Sequence, residues 1–317
     1  MKFNNKWMVA LAATLLLAAC SSDEEKTGGK AEKEEQATSK NDGAPYTVVD
    51  DRGVEVTFDE VPETIVSLQP SNTEILFELG VGEQIIGATD FDTYPEAAQE
   101  IERVSTSTVI NAERILELDP DVVIAYTIGD ETQITQLEDA GLKVFVIASA
   151  ATFDDVYSDI IQLSEVMGVE DKGEKVVADI KAQIETVQEK TANVDTKKKA
   201  YYEVSPAPDL WTTGSSTFQQ EIMDHANVEN IFADQKSWIS VTEEDVITRN
   251  PEIIITPATY MENAVEEILG RTGWEKIQAV TDQAVYLVDG DIMSRPGPRI
   301  GEAVEIMAQS VYPELFK

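Results

Sequence analysis

Short apolar runs rich in valine and isoleucine alternate with amphipathic, helix-like segments along the chain from residue 46 onward. Turn residues bound these runs, a pattern typical of β-strands buried on both faces of a sheet. Strands that alternate with helices predict an α/β fold with mostly parallel sheets. The predicted strands cover residues 46–50, 54–58, 64–68, 85–89, 121–126, 143–147, 199–204, 252–256 and 284–288, and the first two form a hairpin through residues 51–53.

One part of this pattern occurs twice. Residues 111–125 (NAERILELDPDVVIA) align without a gap to residues 242–256 (TEEDVITRNPEIIIT). Each begins with a helix-capping residue and has an acid two positions later, and each reaches Asp/Asn-Pro, an acid and three aliphatic residues. This order predicts a short helix, a stop at the proline and a buried strand. The chain is therefore expected to contain two related lobes, with chance similarity between generic βα units as the alternative.

A second pair of segments follows the same scheme. Residues 73–81 match residues 220–228, and Gly80 and Asn227 are both candidates for a left-handed helix end. Residues 71–74 (SNTE) predict a capping box at the start of the first of these helices.

One long amphipathic helix is predicted between the two lobes. Its apolar residues recur at three- and four-residue spacing, at Val176, Val177, Ile180, Ile184 and Val187. Residues 169–194 would form a rod of about 33–39 Å. The expected order is a lobe at residues 46–168, this linking helix and a second lobe at residues 195–317. Two Rossmann-like lobes joined by one rigid helix would hold a ligand in the cleft between them.

The first twenty residues differ from the rest. Two lysines precede an apolar run of thirteen residues, 7–19, that ends in Leu-Ala-Ala before Cys20. This run is too short to span a bilayer and is typical of a signal-peptide core. The segment resembles a bacterial lipoprotein signal, so we expect a signal peptide at 1–19 and a lipid on Cys20. The alternative is an incidental cysteine after a plain secretion signal. Residues 20–45 hold no large apolar residue after Cys20 and predict a disordered tether.

The net charge of the chain and the motifs that it lacks narrow the classes of function that the sequence supports. A formal net charge of −36 disfavours binding to nucleic acid or, through a basic patch, to anionic lipid. The sequence has no Gly-x-Ser-x-Gly elbow and no phosphate-binding loop. Its only histidine, His225, falls near a predicted helix end and is assigned a structural role. A Ser-His-Asp triad and a metal site built on several imidazoles are both disfavoured. Cys20 is the only cysteine, which excludes an intramolecular disulfide.

We therefore predict no catalytic residue, no cofactor and no metal site. A pair of catalytic carboxylates stays open because acids are plentiful, although nothing in the sequence marks one. A surface adhesin would account for the anchor but not for the two matched lobes.

Five segments resemble a known family: residues 64–80 (TIVSLQPSNTEILFELG), 94–95, 104–115, 238–249 and 294–300 (SRPGPRI). With the lipoprotein cysteine and the two lobes, they resemble the ABC-importer binding proteins for siderophores, haem and cobalamin, and most of all the cobalamin binders. The resemblance covers the whole folded chain. It implies a class III periplasmic-binding-protein fold and an extracytoplasmic, lipid-anchored monomer without enzymatic activity. Its partners would be a small-molecule ligand and a permease dimer with ATPase subunits.

The resemblance also implies a ligand site for cobalamin. Tyr94, Trp211 and Trp238 match positions where aromatic side chains pack on the corrin ring, and Asp291 and Arg295 match polar contacts. Where the cobalamin binder has another tryptophan this chain has Ser107, and Tyr126 is a candidate to compensate. A flat, amide-fringed macrocycle suits aromatic area with a few polar groups. The alternative is that these aromatic residues belong to the core.

A ferric siderophore is the main competing ligand, with haem as another. Ferric siderophores are often anionic, so their sites tend to use arginine or aromatic cages. Among the seven arginines, Arg295 is the best candidate for the cleft, whereas Arg299 is expected to be structural at the start of the last helix. One arginine with several aromatic residues favours cobalamin.

The matched acids of the repeat, Glu113 and Glu244, are predicted to dock on the permease. In the family that the chain resembles, matching glutamates of the two lobes contact arginines of the two permease subunits. The alternative is that acids are simply favoured in the first turn of a helix.

Overall fold

The computed structural model describes residues 44–106, 109–127 and 131–317. The predicted signal peptide, Cys20, the tether up to residue 43, and Ser107 all lie outside the described residues. Within the described part of the chain, no helix is both long enough and apolar enough to cross a membrane.

The first half of the described chain forms a hairpin and a parallel sheet. Strands β1 and β2 pair antiparallel, and the sheet has the strand order β5-β4-β3-β6-β7 with every pair parallel. The strands are β1 Tyr46–Val49, β2 Glu55–Phe58, β3 Ile65–Ser67, β4 Ile85–Thr89, β5 Arg103–Ser105, β6 Val122–Thr127 and β7 Val144–Ala148. The helices are α1 Pro70–Glu78, α2 Ala112–Leu118, α3 Thr132–Asp139 and α4 Phe153–Val166, with 3₁₀ turns at Gly82–Gln84 and Glu96–Glu100.

The second half forms a second sheet, with the order β11-β9-β8-β12-β13 and with β10 also paired to β8. Strands β8, β10, β12 and β13 are parallel, whereas β9 and β11 run antiparallel to their neighbours. These strands are β8 Lys199–Ser205, β9 Trp211–Thr213, β10 Glu229–Asn230, β11 Trp238–Ser240, β12 Ile253–Thr256 and β13 Val285–Leu287. Its helices are α6 Phe218–His225, α7 Glu243–Arg249, α8 Ala264–Leu269, α9 Gln278–Thr281, α10 Gly290–Ser294 and α11 Ile300–Val311, with a 3₁₀ turn at Pro313–Phe316.

The long helix expected over residues 169–194 is present as α5, Glu170–Thr191, with 22 residues. At 1.5 Å per residue it measures about 33 Å. Its apolar stripe includes Ile180, Ile184 and Val187, which are buried in the main core. The stripe packs against α4 from the first half and α11 from the second. Hydrophobic spacing therefore located this helix correctly.

The sequence repeat has a structural counterpart. Helices α2 and α7 each have seven residues, and each is capped by a side chain, Asn111 or Thr242, that accepts a bond from the backbone N–H three residues on. Each ends at a left-handed residue, Asp119 with φ 49° and Asn250 with φ 46°. The strands that follow are β6 and β12, and they occupy the same position in their sheets. Each lies between the strand of its sheet that comes first along the chain, β3 or β8, and the one that comes last, β7 or β13. The two halves thus share one local architecture.

The predicted capping box at residues 71–74 is wrong. Helix α1 begins at Pro70, and its N-cap residue, Gln69, makes no side-chain cap bond. A proline at the first helical position supplies the helical φ and has no N–H to satisfy, so the helix starts before Ser71. Glu74 lies inside the helix and is 2% exposed. The predicted helix end is correct, because Gly80 has a φ of 73°.

Four short strands were not predicted: β5, β9, β10 and β11. Each has only two or three residues, too few for an alternating pattern to stand out. Two of them, β9 and β11, carry Trp211 and Trp238. A regular ribbon of two strands holds them.

Candidate functional site

A buried carboxylate of the first half binds two arginines of the second half. The Glu74 side chain on α1 is 1% exposed. Its Oε1 accepts from Arg295 Nη1 at 3.0 Å, and its two oxygens accept from Arg299 Nη2 and Nε at 2.7 and 2.8 Å. The latter pair is bidentate, the geometry that suits a guanidinium and a carboxylate. This cluster of Glu74, Arg295 and Arg299, here called the arginine clamp, joins segments more than two hundred residues apart.

Electrostatics of the clamp favour charged arginines. Burial alone would lower the pKa of Arg299, but the hydrogen bonds and the negative charge of Glu74 outweigh it and raise that pKa above its usual value. Arg299 therefore stays ionised, and the single carboxylate of Glu74 can compensate only one of the two arginines that it binds.

Asp291 supplies the second negative charge. Its Oδ2 lies 2.6 Å from Arg295 Nη2 and accepts from Thr93 Oγ1 at 3.0 Å. The same Nη2 donates to the Phe91 carbonyl at 2.9 Å. Asp291 and Arg295, both predicted ligand contacts, are thus brought together and tied to the segment after β4. Asp291 keeps half of its side chain exposed, whereas Arg295 keeps 12%. Their contact with a ligand stays a prediction.

Tyr94 lies beside the arginine clamp. The Arg299 guanidinium stands 4.1 Å from the centre of its ring, which is the geometry of a cation–π contact. The residue is 47% exposed, so the other side of this pair is open to solvent.

Trp211 and Trp238 lie on the ribbon of β9 and β11. Trp211 stands opposite Ser240, and Trp238 opposite Thr213, so the two tryptophans are diagonal neighbours on one face. The Trp238 Nε1 donates to Gln219 Oε1 at 3.1 Å. Gln219 in turn donates to the Met293 carbonyl at 3.3 Å, which connects the ribbon to the segment that carries Arg295.

Exposure decides between a core role and a surface role for these aromatic residues. Phe91, Tyr94, Trp211 and Trp238 are each between 43% and 50% exposed. The core interpretation is therefore wrong for the three that were predicted. Phe91 was not predicted, although its place just after the carboxyl end of β4 is a usual one for binding residues in parallel sheets.

Tyr126 lines a cavity of about 330 Å³ in the first half. The cavity lies at the carboxyl ends of β3, β4, β5 and β6, and Phe91 also lines it. The remaining predicted ligand residues are absent from its described lining. The structure therefore forms two groups: the clamp with Tyr94, Asp291 and the tryptophan ribbon, and the cavity with Tyr126. Phe91 belongs to both, since its carbonyl accepts from Arg295 and the residue lines the cavity.

The matched acids stand at equivalent places. Glu113 is the second residue of α2 and Glu244 the second residue of α7, and both are exposed. Within the described residues neither forms a salt bridge, whereas the neighbouring Arg114 is held by Glu102 and Glu117. Two free carboxylates thus occur at repeated positions.

His225 is the last residue of α6, as expected from the sequence, and its ring stacks on Phe153 of α4 with centroids 4.8 Å apart. Across the described ranges, no three His, Cys, Asp or Glu side chains are arranged to hold a metal ion.

A family model described as periplasmic binding protein matches residues 65–292 of the chain. Among curated proteins, the chain is 38% identical over 291 residues to an uncharacterised ABC transporter substrate-binding lipoprotein of Bacillus subtilis, YvrC, which covers 90% of this chain and 91% of that protein. It is 30% identical over 244 residues to the vitamin B12-binding protein of Vibrio campbellii, with 76% and 86% of the two chains covered.

Among solved structures, that of a possible iron-binding, periplasmic solute-binding protein from Staphylococcus epidermidis is similar to this chain. It has a TM-score of 0.72 and 31% sequence identity, and the match covers 80% of this chain and 100% of that one.

Proposed function

The chain belongs to the periplasmic binding protein family as a substrate-binding protein of an ABC importer, and on that premise we propose that its ligand is cobalamin. The observation that carries the proposal is that half-exposed aromatic residues lie beside an arginine clamp whose charge is balanced by Asp291. The aromatic residues offer area for a flat macrocycle. The polar groups beside them offer hydrogen bonds without a net charge.

Charge balance is what favours a neutral ligand. Arg295 and Arg299 carry two positive charges, and Glu74 and Asp291 carry two negative charges within 3.0 Å of them. An anionic ferric chelate would have to displace one of these carboxylates or remain without a cation of its own. Burying an unpaired charge is costly. The amide fringe of a corrinoid has no such requirement.

Two likenesses support different ligands. The likeness to the vitamin B12-binding protein of Vibrio campbellii supports cobalamin. The likeness to the possible iron-binding protein of Staphylococcus epidermidis makes a ferric siderophore the second candidate, with haem as a further iron ligand. We favour cobalamin, because the arginines of the clamp are already paired with carboxylates.

Delivery completes the proposed function. We place the protein outside the cytoplasmic membrane, anchored by a lipid on Cys20 and acting as a monomer. The ligand-loaded protein meets the permease and its ATPase subunits through Glu113 and Glu244. One carboxylate from each half suits a partner with twofold symmetry, and complementary charge sets orientation and on-rate.

Replacing Trp238 with alanine tests the aromatic site. We expect cyanocobalamin affinity to fall by about 1–3 kcal/mol, because a half-exposed indole that becomes covered by the ligand contributes roughly that much. Trp238→Phe is the matched control, since it keeps an aromatic ring while losing the hydrogen bond to Gln219 and part of the indole area. Calorimetry on both variants measures the effect. Equal affinity of the alanine variant and the unmodified protein would remove Trp238 from the site.

A further inference from the structure

The 330 Å³ cavity of the first half has no role in the function proposed so far. It opens where four parallel strands of the first sheet end, and Phe91 and Tyr126 contribute aromatic surface to it. Its volume is at the lower end of the range for sites that enclose a whole small molecule. It is therefore suited to an appended group of a ligand rather than to a macrocycle.

The chemistry of its walls is uncharged. The described lining contains aliphatic and aromatic carbon, hydroxyl groups and side-chain amides, and no Lys, Arg, His, Asp or Glu. A phosphate or a carboxylate would meet no cation there. A flat group with a few hydrogen-bonding edges matches these walls better, because it combines ring area with polar edges.

Gln69 gives the cavity a specific feature. It is the N-cap residue of α1, yet its side chain makes no cap bond and has no partner among the described residues. A free primary amide presents a donor and an acceptor side by side. Glutamine uses this pair to bind the edge of adenine in nucleic-acid complexes.

Two hydroxyls of the cavity are already committed as donors. Thr89 Oγ1 donates to Asp92, and Ser105 Oγ donates to the Thr106 carbonyl at 2.7 Å. Thr89 Oγ1 also accepts from the Phe91 backbone N–H at 3.2 Å. The lone pairs that remain on the two hydroxyl oxygens favour a ligand edge that carries an N–H group.

We propose that this cavity binds a planar, uncharged heteroaromatic base carried by the ligand, with Phe91 as the stacking surface and Gln69 as the edge contact. The proposal rests on the assignment of a corrinoid ligand. Cobalamins offer such a base in two places: the benzimidazole of the lower nucleotide and, in adenosylcobalamin, the adenine of the upper ligand. Gln69 and the hydroxyl acceptors favour the adenine, since it has an amino group.

The position of Phe91 connects the cavity to the rest of the site. Phe91 lines the cavity, and its carbonyl accepts from Arg295 in the clamp. A macrocycle at the clamp and the tryptophan ribbon would thus have the cavity within reach of an axial substituent. The corrin ring and the base that it carries could then be bound at the same time, the ring at the clamp and the ribbon and the base in the cavity.

The test compares three corrinoids by calorimetry on the purified protein and on two variants. The corrinoids are dicyanocobinamide, which lacks both bases, cyanocobalamin, which has the lower base, and adenosylcobalamin, which has both. Ala125→Leu fills the cavity from β6, and Gln69→Leu removes the amide from a partly buried position while keeping its size. Gln69→Leu keeps the test valid if Ala125→Leu fails to fold. We expect about a tenfold loss of adenosylcobalamin affinity in each variant, with cobinamide unchanged. Ala125→Leu would exclude the base from its aromatic contact, and Gln69→Leu would remove the contact to the edge of the base.

The pattern across the three ligands separates the outcomes. A loss confined to adenosylcobalamin supports the adenine, and a loss shared by both cobalamins supports the lower base in the same cavity. Unchanged affinities for all three, or an equal loss that includes cobinamide, would overturn the proposal. Failure of all three to bind the unmodified protein would instead overturn the corrinoid assignment itself.

Discussion

Reversing the charge of both matched acids, Glu113→Lys with Glu244→Lys, is expected to abolish cobalamin uptake while leaving cobalamin affinity unchanged. Both carboxylates are exposed and form no salt bridge within the described residues, so the change disturbs no contact inside the fold. Placing a positive charge opposite a cation of a partner turns attraction into repulsion. Like-charge contacts across an interface cost several kcal/mol, and here there would be two. Uptake of labelled cyanocobalamin by cells with the variant as their only copy measures the effect.

The control must make the same change in net charge elsewhere. Glu185→Lys with Glu189→Lys does so on the exposed side of α5. This variant should take up cyanocobalamin at the rate of the unmodified protein. Normal uptake by the Glu113 and Glu244 variant would show that the matched acids are no more than helix-favouring residues.

Removing the central carboxylate of the arginine clamp, Glu74→Ala, is expected to lower the free energy of unfolding by about 3–5 kcal/mol. Breaking a buried ion pair from one side leaves its partner uncompensated, which is the costly case. Here two guanidiniums lose their shared partner, and their side chains are only 12% and 14% exposed. Urea denaturation of the purified variant measures the loss.

A control and a second variant separate this effect from a general helix defect. Glu78→Ala changes an exposed acid on the same helix and should shift stability by less than about 0.5 kcal/mol. In an Arg299→Ala background, Glu74→Ala should cost less than in the unmodified protein, since one interaction is already lost. If the two substitutions lowered the free energy of unfolding by strictly additive amounts, Glu74 and Arg299 would not stabilise the fold through each other.

The arginine clamp and α5 both tie the two halves of the described chain together. Glu74 binds Arg295, which follows α10, and Arg299, which precedes α11, and α5 packs on helices of both halves. Opening the structure at the clamp would expose three charges that are now paired. Under the proposed function a ligand would therefore meet a nearly preformed site, in which Tyr94, Trp211 and Trp238 are already half-exposed.

The features that the sequence predicted well are those with a local pattern. Apolar spacing located α5, and the repeat predicted α2, α7 and the left-handed ends at Gly80 and Asn227. These features depend on residues within about fifteen positions of one another. Helix periodicity, proline stops and glycine ends are all determined by residues that lie this close together in the sequence.

The features that the sequence missed depend on distant partners or on very short strands. Glu74 looked like the last residue of a capping box, but its partners are 221 and 225 residues away. The ribbon that presents Trp211 and Trp238 consists of two three-residue strands, which leave no periodic signal. Phe91 follows a correctly predicted strand, yet only its contact with Arg295 and the cavity marks it as part of the site.

The most direct test of the central claim is a calorimetric titration of the chain from residue 21 onward with cyanocobalamin, run beside a ferric siderophore and haem. A charge-balanced clamp among half-exposed aromatic residues predicts saturable one-to-one binding of cyanocobalamin and weaker or absent binding of the iron ligands. Binding of the ferric siderophore without any binding of cyanocobalamin would contradict the account. The aromatic residues and Arg295 would then belong to an iron-chelate site.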